Sequence, residues 1–394
     1  MRRWILPEYI EDVLPPEADR IERLRRDILD LFQVHGYEQV MPPLLEYVES
    51  LLTGTGHDLD LKTFKLVDQL SGRMLGVRAD ITPQVARIDA HLLNRPGIAR
   101  LCYTGSVLHA LPSGTAQTRE PLQIGAELYG HAGVESDIEI QSLMISALHR
   151  SGIEHARFDL GHVGVFGALM RHFSIDDERE SDLFQALQTK DVPSLRELVT
   201  GLDPALSNAL LALPRLYGGP EVLGDARRQL PPLAEIETAL RQLEAIEEAL
   251  RQAGQSVDCF DLAELRGYHY HSGVVFAAYA RGRPNAIALG GRYDEVGKAF
   301  GRARPATGFT MDLRALAALA PALPQHNRVL APYAPADREL REAIAALRTG
   351  GTTVIIDLPG HDSTRDTLAC ARELVLREGR WQLIDRTRDQ TAGK

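Results

Sequence analysis

The chain has 394 residues, 44% of them hydrophobic and 25% charged, so it can bury a sizeable core in two or three globular domains. No segment approaches the roughly 18 consecutive apolar residues of a membrane span, so no membrane association is expected. The formal net charge is −10, whereas proteins that mainly bind nucleic acid present basic surface. The charge therefore argues against RNA or DNA as the main partner.

The three cysteines, Cys102, Cys259 and Cys370, lie far apart and form no C-x-x-C pair. A zinc cage or a disulfide framework is therefore not expected, and a reducing compartment suits the chain. The first residues reach acids and prolines too early for a secretory signal. No Walker loop, dinucleotide fingerprint or H-E-x-x-H pair occurs. We expect a cytoplasmic protein that carries no metal and no cofactor.

Helices and strands alternate in the predicted structure of the first 150 residues. The first helix has apolar residues at spacings of three and four, follows Pro15-Pro16 and ends at Gly36. The remaining elements are, in chain order, an extended piece over 37–41, a strand over 73–78, a helix from Thr82, strands over 98–103 and 122–129, and a helix over 136–150.

The middle of the chain, about 178–254, has a helical pattern and predicts an insertion between two halves of a sheet. The predicted domains are 1–320 and a small C-terminal α/β module over 325–394, joined by a proline-rich hinge. Further strands are predicted over 257–262, 274–280, 286–289 and 307–311. The C-terminal module predicts a strand over 328–331, a helix over 336–347, a strand over 352–358, a second helix, and a strand over 381–384.

The strand over 122–129 alternates strictly and places Gln123, Gly125 and Glu127 on one face. A glycine inside a strand often marks the close approach of a ligand or of another backbone. An acid and an amide beside such a gap can hold an imidazole, an amine or an amide. The alternative is a sheet with one solvated polar face.

Two further segments carry polar groups suited to an amino acid. Asp80 can hold an ammonium group and Arg266 can hold a carboxylate, because a guanidinium matches both carboxylate oxygens. Each has an ordinary alternative, an acid near a helix start for Asp80 and a surface ion pair for Arg266. Thr82 before Pro83 suits a helix N-cap equally well. The segment 290–294 is explained as well by a turn as by a site.

His269 and His271 have a spacing that permits metal ligation, but no third ligand is evident nearby. We therefore predict no metal site. The sequence also offers no self-evident catalytic nucleophile.

Taken together, these segments resemble the catalytic domain of histidyl-tRNA synthetase, a class II synthetase, over residues 5–320 in the same order. The matching segments are Gly36–Pro43 (motif 1), Arg78–Thr82, Gln123–Glu127, Arg266–Phe276 and Leu289–Asp294. The resemblance implies an α+β fold, in which helices flank an antiparallel class II sheet. It also implies a histidine pocket formed by Asp80, Thr82, Gln123, Glu127, Arg266, Tyr270 and His271.

The departures from the synthetase pattern fall on the ATP side. His109 and Leu111 stand where motif 2 has its arginine and glutamate, and Ala315 stands where motif 3 ends in arginine. Fixed cations stabilise the transferring phosphate, and removing one such group costs about 3–4 kcal/mol. Asp312 would add repulsion near a triphosphate. We therefore predict that synthetase activity is lost and that no residue is catalytic.

A histidine pocket without its chemistry resembles the ATP phosphoribosyltransferase regulatory subunit family, the synthetase paralogue of histidine biosynthesis. That resemblance implies a homodimer within a hetero-oligomer with the short-form catalytic subunit, feedback inhibition by histidine, and no tRNA binding. An active histidyl-tRNA synthetase and a stand-alone amino-acid-binding paralogue remain as alternatives. The sequence leaves open whether an inhibitory histidine occupies this pocket or a subunit interface.

Overall fold

The computed structural model describes residues 5–53, 57–112, 118–268, 270–321, 328–360 and 367–386, without the side chains of residues 57 and 58. The chain forms two compact units, Met1–Ala320 and Pro321–Lys394. No helix among the described residues is both long enough and apolar enough to pass through a bilayer.

The first unit contains two β-sheets. Its strands are β1 Glu38–Gln39, β2 Leu45–Tyr47, β3 Phe64–Val67, β4 Met74–Val77, β5 Ala99–Ser106, β6 Leu122–Tyr129, β7 Arg157–His162, β8 Tyr217–Gly218, β9 Cys259–Asp261, β10 Val274–Tyr279, β11 Ala286–Arg292 and β12 Ala306–Asp312. Nine form one sheet in the order β1-β5-β6-β12-β11-β10-β7-β9-β8, and β2-β4-β3 form the other. The large sheet is antiparallel except where β1 meets β5 and β7 meets β9. The predicted α+β class with a mainly antiparallel sheet is confirmed.

The helices of the first unit flank this sheet and fill the middle of the chain. They are α1 Pro15–Val34, α2 Val48–Leu51, α3 His57–Lys62, α4 Thr82–Arg87, α5 Val134–Arg150, α6 Gly164–His172, α7 Asp177–Gln188, α8 Val192–Leu198, α9 Pro204–Ala212, α10 Glu221–Gln229, α11 Ala234–Gln252 and α12 Leu313–Leu319. A π-helical segment, Ile88–Leu93, continues α4. The region expected to be helical, 178–254, holds most of α7 and all of α8 to α11, together with the two-residue strand β8.

Helix α1 buries the apolar stripe that the sequence predicts for it. Its apolar stripe, Ile21, Leu24, Ile28 and Phe32, is buried, and Gly36 has the positive φ of +84° that ends the helix easily. Phe32 packs edge-on against Phe309 of β12 at 5.8 Å between ring centroids. The helix therefore covers one face of the large sheet.

Strand β6 separates the hydrophobic core from a polar region. Ile124 and Ala126 are completely buried in the core that includes α1 and α5. Tyr129, and Tyr103 of the neighbouring strand β5, belong to a second cluster on the opposite face. The predicted alternation is correct, but the polar face of β6 is buried and not solvated.

The second unit has a four-stranded sheet in the order β14-β13-β15-β16. Its elements are β13 Val329–Pro332, α13 Arg338–Thr349, β14 Val354–Asp357, β15 Arg372–Arg377 and β16 Arg380–Asp385. The sequence predicts a helix between the strands expected over 352–358 and 381–384. That prediction is wrong over Arg372–Arg377, which form strand β15. Residues 361–366 lie outside the described residues. Glu378 and Gly379 both have positive φ, as a two-residue hairpin turn requires, and the hairpin pairs β15 with β16.

Candidate ligand site

A cavity of about 330 Å³ lies on the polar face of the large sheet. We call it the amino-acid cavity, after the ligand that the sequence predicts. It extends from Glu127 on β6 across Gly308 and Gly291 to Asp159 on β7. Six of the seven predicted site residues line it: Asp80, Thr82, Glu127, Arg266, Tyr270 and His271. The seventh, Gln123, lines an adjoining cavity.

Glu127 is the buried acid of this cavity, with 1% of its surface exposed. The Tyr103 hydroxyl donates to Oε1 at 3.0 Å, and the Tyr293 hydroxyl donates to Oε2. Burial raises the pKa of Glu127 to about 8, although both hydroxyls oppose that shift. The carboxyl group is therefore largely protonated near neutral pH.

Two glycines give the Glu127 side chain and its partners their space. Gly308 faces Glu127 across the β6–β12 pair, and a Cβ there would collide with the carboxylate. A Cβ at Gly125 would lie 2.5 Å from the Tyr103 hydroxyl and from the Phe309 carbonyl oxygen. The sequence predicts that Gly125 leaves space for a ligand. In the structure the Tyr103 ring, which crosses from the neighbouring strand, fills that space.

Asp80 and Thr82 are held in place from β6. The Gln123 amide donates to Asp80 Oδ1 at 2.9 Å, and its Oε1 accepts from the Ile81 N–H at 2.9 Å. The Thr82 hydroxyl lies 3.1 Å from the Tyr103 hydroxyl. Thr82 is the first residue of α4, and the N-cap residue is Ile81, which makes no side-chain cap hydrogen bond. The N-cap interpretation of Thr82 is therefore wrong, and Gln123 positions the Asp80 loop.

Tyr270 and His271 form the aromatic wall opposite β6. The Tyr270 ring lies 5.1 Å from that of Tyr293 between centroids, and the buried Tyr270 hydroxyl has no hydrogen-bond partner in the described structure. The His271 Nδ1 lies 3.3 Å from the Arg292 carbonyl oxygen, and burial lowers the pKa of His271 to about 4. His271 is therefore neutral, and the bond to Arg292 assigns its proton to Nδ1. A buried hydroxyl with no protein partner beside an open cavity is available to bond a polar ligand or a water molecule.

Arg266 lines the cavity but already has partners. Its Nη2 lies 3.3 Å from Glu264 and 3.1 Å from the Tyr279 hydroxyl, and 45% of its side chain is exposed. The ion pair expected as the ordinary alternative is thus present, between Arg266 and Glu264. A ligand carboxylate would share the guanidinium with Glu264, because the fork has five donors.

The adjoining cavity, of about 490 Å³, is lined by three of the four residues that depart from the synthetase pattern: His109, Asp312 and Ala315. His109 Nε2 lies 3.1 Å from the Ala79 carbonyl oxygen, and burial lowers its pKa. Asp312 caps α12 and accepts from the Arg314 N–H at 3.0 Å. Ala315 also lines this cavity, and Leu111 is 62% exposed at the surface. Neither His109 nor Ala315 supplies the fixed positive charge that a triphosphate requires.

Several residues of the site were not found from the sequence. Tyr103, Tyr293 and Thr310 line or support the cavity, and Arg292 anchors it through a buried ion pair with Asp137 at 2.9 Å. Tyr293 and Arg292 lie in the segment 290–294, for which a turn and a site were equally good explanations. Among the described residues no cluster of three potential metal ligands occurs. His269 lies outside the described residues.

Two family models match the chain. Residues 9–316 match the histidyl-tRNA synthetase model, and residues 326–384 match the model of the ATP phosphoribosyltransferase subunit HisZ C-terminal domain. The synthetase-like match therefore covers the whole amino-acid cavity and all of the adjoining cavity except Ala318. The C-terminal match covers the small sheet up to its last residue but one.

Relatives and solved structures match the chain over most of its length. The ATP phosphoribosyltransferase regulatory subunit of Ralstonia pickettii is 60% identical over 378 residues, which cover 96% of this chain and 97% of that one. The solved ATP phosphoribosyltransferase regulatory subunit/histidyl-tRNA synthetase of Bacillus halodurans superposes with a TM-score of 0.81 at 29% identity, over 93% of this chain and 96% of that one. The histidyl-tRNA synthetase of Nostoc sp. shares the fold, with a TM-score of 0.75 at 18% identity over 95% of this chain and 92% of that one.

Proposed function

Because the chain belongs to the ATP phosphoribosyltransferase regulatory subunit family, we propose that it binds histidine and regulates a short-form catalytic subunit in the cytoplasm. In that role it forms a homodimer within a hetero-oligomer, catalyses no reaction itself and binds no tRNA. The complex carries out the first step of histidine biosynthesis, and bound histidine inhibits it.

The observation that carries this proposal is the contrast between the two cavities. The amino-acid cavity keeps two acids and several hydroxyls in one hydrogen-bonded arrangement, and Arg266 lines the same cavity with separate partners, Glu264 and Tyr279. The adjoining cavity has His109 and Ala315 where adenylate formation needs arginines. A pocket that binds an amino acid without activating it suits a sensor.

The groups in the amino-acid cavity match the three polar parts of histidine. Asp80 suits the ammonium group, Arg266 suits the carboxylate, and the ring suits the space between Glu127 and the unpartnered Tyr270 hydroxyl. His271 and Thr82 complete the polar lining, and Gln123 supports it by holding Asp80. Histidine then changes activity only if it binds two states of the complex with different affinity.

The test is reconstitution with a short-form ATP phosphoribosyltransferase catalytic subunit. We expect a stable complex on size-exclusion chromatography, higher turnover than the catalytic subunit alone, and loss of that gain when histidine is added. An unchanged turnover and no complex would reject the proposal. Histidine-dependent pyrophosphate exchange by the chain alone would instead favour an active synthetase.

Titration calorimetry on the isolated chain locates the effector site. Histidine should bind the full chain, and the Arg266→Ala substitution in the amino-acid cavity should weaken that binding. If the assembled complex responds to histidine while the isolated chain binds none, the effector site lies at a subunit interface.

A further inference from the structure

Glu127 is an unusual group to find against an amino-acid cavity. It is 1% exposed, it lines the cavity, and in the described part of the chain it forms no ion pair with a cation. Its two hydrogen bonds come from neutral hydroxyls, those of Tyr103 and Tyr293. A buried carboxylate is stable only when a positive charge or several donors compensate it.

No cationic side chain bonds Glu127 in the described part of the chain. The titratable groups that act on it are mainly neutral tyrosines and one further acid: Tyr103 on β5, Tyr129 on its own strand, Tyr293 after β11, Tyr270 on the opposite wall, Tyr37 on the other side of the sheet, and Asp80. Lys62, Arg266 and His271 also line the cavity, but Arg266 bonds Glu264 and the Tyr279 hydroxyl, and none of the three bonds Glu127 among the described contacts. Burial raises the pKa of every one of these tyrosines, so none becomes charged near neutral pH. A second negative charge, at Asp80, further disfavours an ionised Glu127.

We infer that Glu127 determines the charge state of the ligand: histidine is held with its imidazole ring protonated, as the counter-ion of an ionised Glu127. This rests on the proposal that histidine occupies the amino-acid cavity. The proton leaves the Glu127 carboxyl oxygen and forms an N–H bond on the ring, so no proton enters or leaves the cavity near neutral pH.

The lack of a cationic partner for the buried Glu127 favours the protonated ring over the neutral one. A protonated ring has two N–H donors, so one can bond Glu127 and the other the unpartnered Tyr270 hydroxyl, which accepts from a protonated ring as readily as it donates to a neutral one. Hydrogen bonds between charged groups are roughly twice as strong as neutral ones. Glu127, with a pKa raised to about 8, binds a proton more tightly than a free imidazole, whose pKa is about 6.5. The attraction between the protonated ring and the ionised carboxylate must outweigh that difference, and burial away from water strengthens the attraction.

The first test is nitrogen NMR of ring-labelled histidine bound to the full chain at about pH 8, where free imidazole is neutral. We expect both ring nitrogens to show the shift of a protonated nitrogen. One protonated and one bare nitrogen in the bound ring would overturn this inference while leaving histidine binding intact. Absence of any bound signal at saturating histidine would overturn the parent proposal as well.

The second test compares histidine with 1,2,4-triazolylalanine, a ligand of the same shape whose ring is too weakly basic to take a proton. We expect the unmodified chain to bind the triazole at least about 10-fold more weakly than histidine, because the charge-assisted bond is lost. The isosteric Glu127→Gln variant should bind the two ligands within about 3-fold of each other. Equal affinities on the unmodified chain would contradict the inference.

Discussion

The amino-acid cavity and the adjoining cavity lie over the same sheet and share Asp80, Lys62 and Thr310, yet they differ in what holds them together. In the amino-acid cavity the polar groups bond one another, through Gln123 to Asp80 and through Tyr103 to Glu127. In the adjoining cavity the replaced positions bond the backbone. His109 bonds Ala79, and Asp312 caps α12.

This difference would allow adenylate formation to be lost, as we propose, without disturbing amino-acid binding. A cation that stabilises a transferring phosphate acts through its charge, so a replacement that bonds the backbone leaves the fold intact. Replacing a residue in a closed hydrogen-bonded network costs more stability, because its partners are left buried and unpaired. We therefore expect the two cavities to respond differently to substitution.

The largest effect is expected at the support of the amino-acid cavity. Arg292→Ala would leave Asp137, whose side chain is 3% exposed, without its partner and should lower the free energy of unfolding by about 3–5 kcal/mol. Urea denaturation measures this change. The matched control is Arg338→Ala, whose ion pair with Glu342 is exposed and should contribute less than about 1 kcal/mol. Equal losses in the two variants would show that Arg292 is not a special anchor.

The next effect concerns the shape of the amino-acid cavity. In Gly308→Ala the new methyl group collides with the Glu127 carboxylate, so the acid must move away from the ligand. We expect histidine affinity to fall on the order of 100-fold, since both the charged bond and the shape are lost. Gly224→Ala in α10 is the control, because its Cβ meets only the flexible end of Arg228 at 3.5 Å. An unchanged affinity in Gly308→Ala would place the ligand elsewhere.

A smaller effect is expected at the rim. Arg266→Ala removes a guanidinium that is half exposed and already shared with Glu264, so histidine affinity should fall by about 10-fold. Calorimetry with Arg26→Ala, a surface arginine on α1, provides the comparison. If Arg266→Ala binds histidine as tightly as the unmodified chain, the effector site lies away from this cavity.

The smallest effect on histidine is expected from changes in the adjoining cavity. His109→Arg combined with Ala315→Arg restores two cations and should raise the affinity for ATP several-fold, while histidine affinity changes by less than about 2-fold. His109→Gln is a neutral control of similar size. A large change in histidine affinity would mean that the two cavities are coupled and do not bind their ligands independently.

Much of this molecule follows from local patterns in the sequence. The apolar spacing of α1, the glycine that ends it and the alternation of β6 depend only on neighbours along the chain, and all three are confirmed. The carboxyl and amide groups at Glu127 and Gln123 were likewise found from alternation alone. The helix expected at β15 was wrong, because the pairing of β15 with β16 outweighs local helical spacing.

Only the tertiary structure decided the chemical state of the site. The pKa of Glu127 depends on burial and on the hydroxyls of Tyr103 and Tyr293, which are distant in sequence and meet it only through the sheet and the loop after β11. Gln123 likewise became a support for Asp80 because the chain folds them together. The sequence by itself determined which side chains are present and which face they share. Their hydrogen bonds and charges depend on neighbours that only the folded chain brings together.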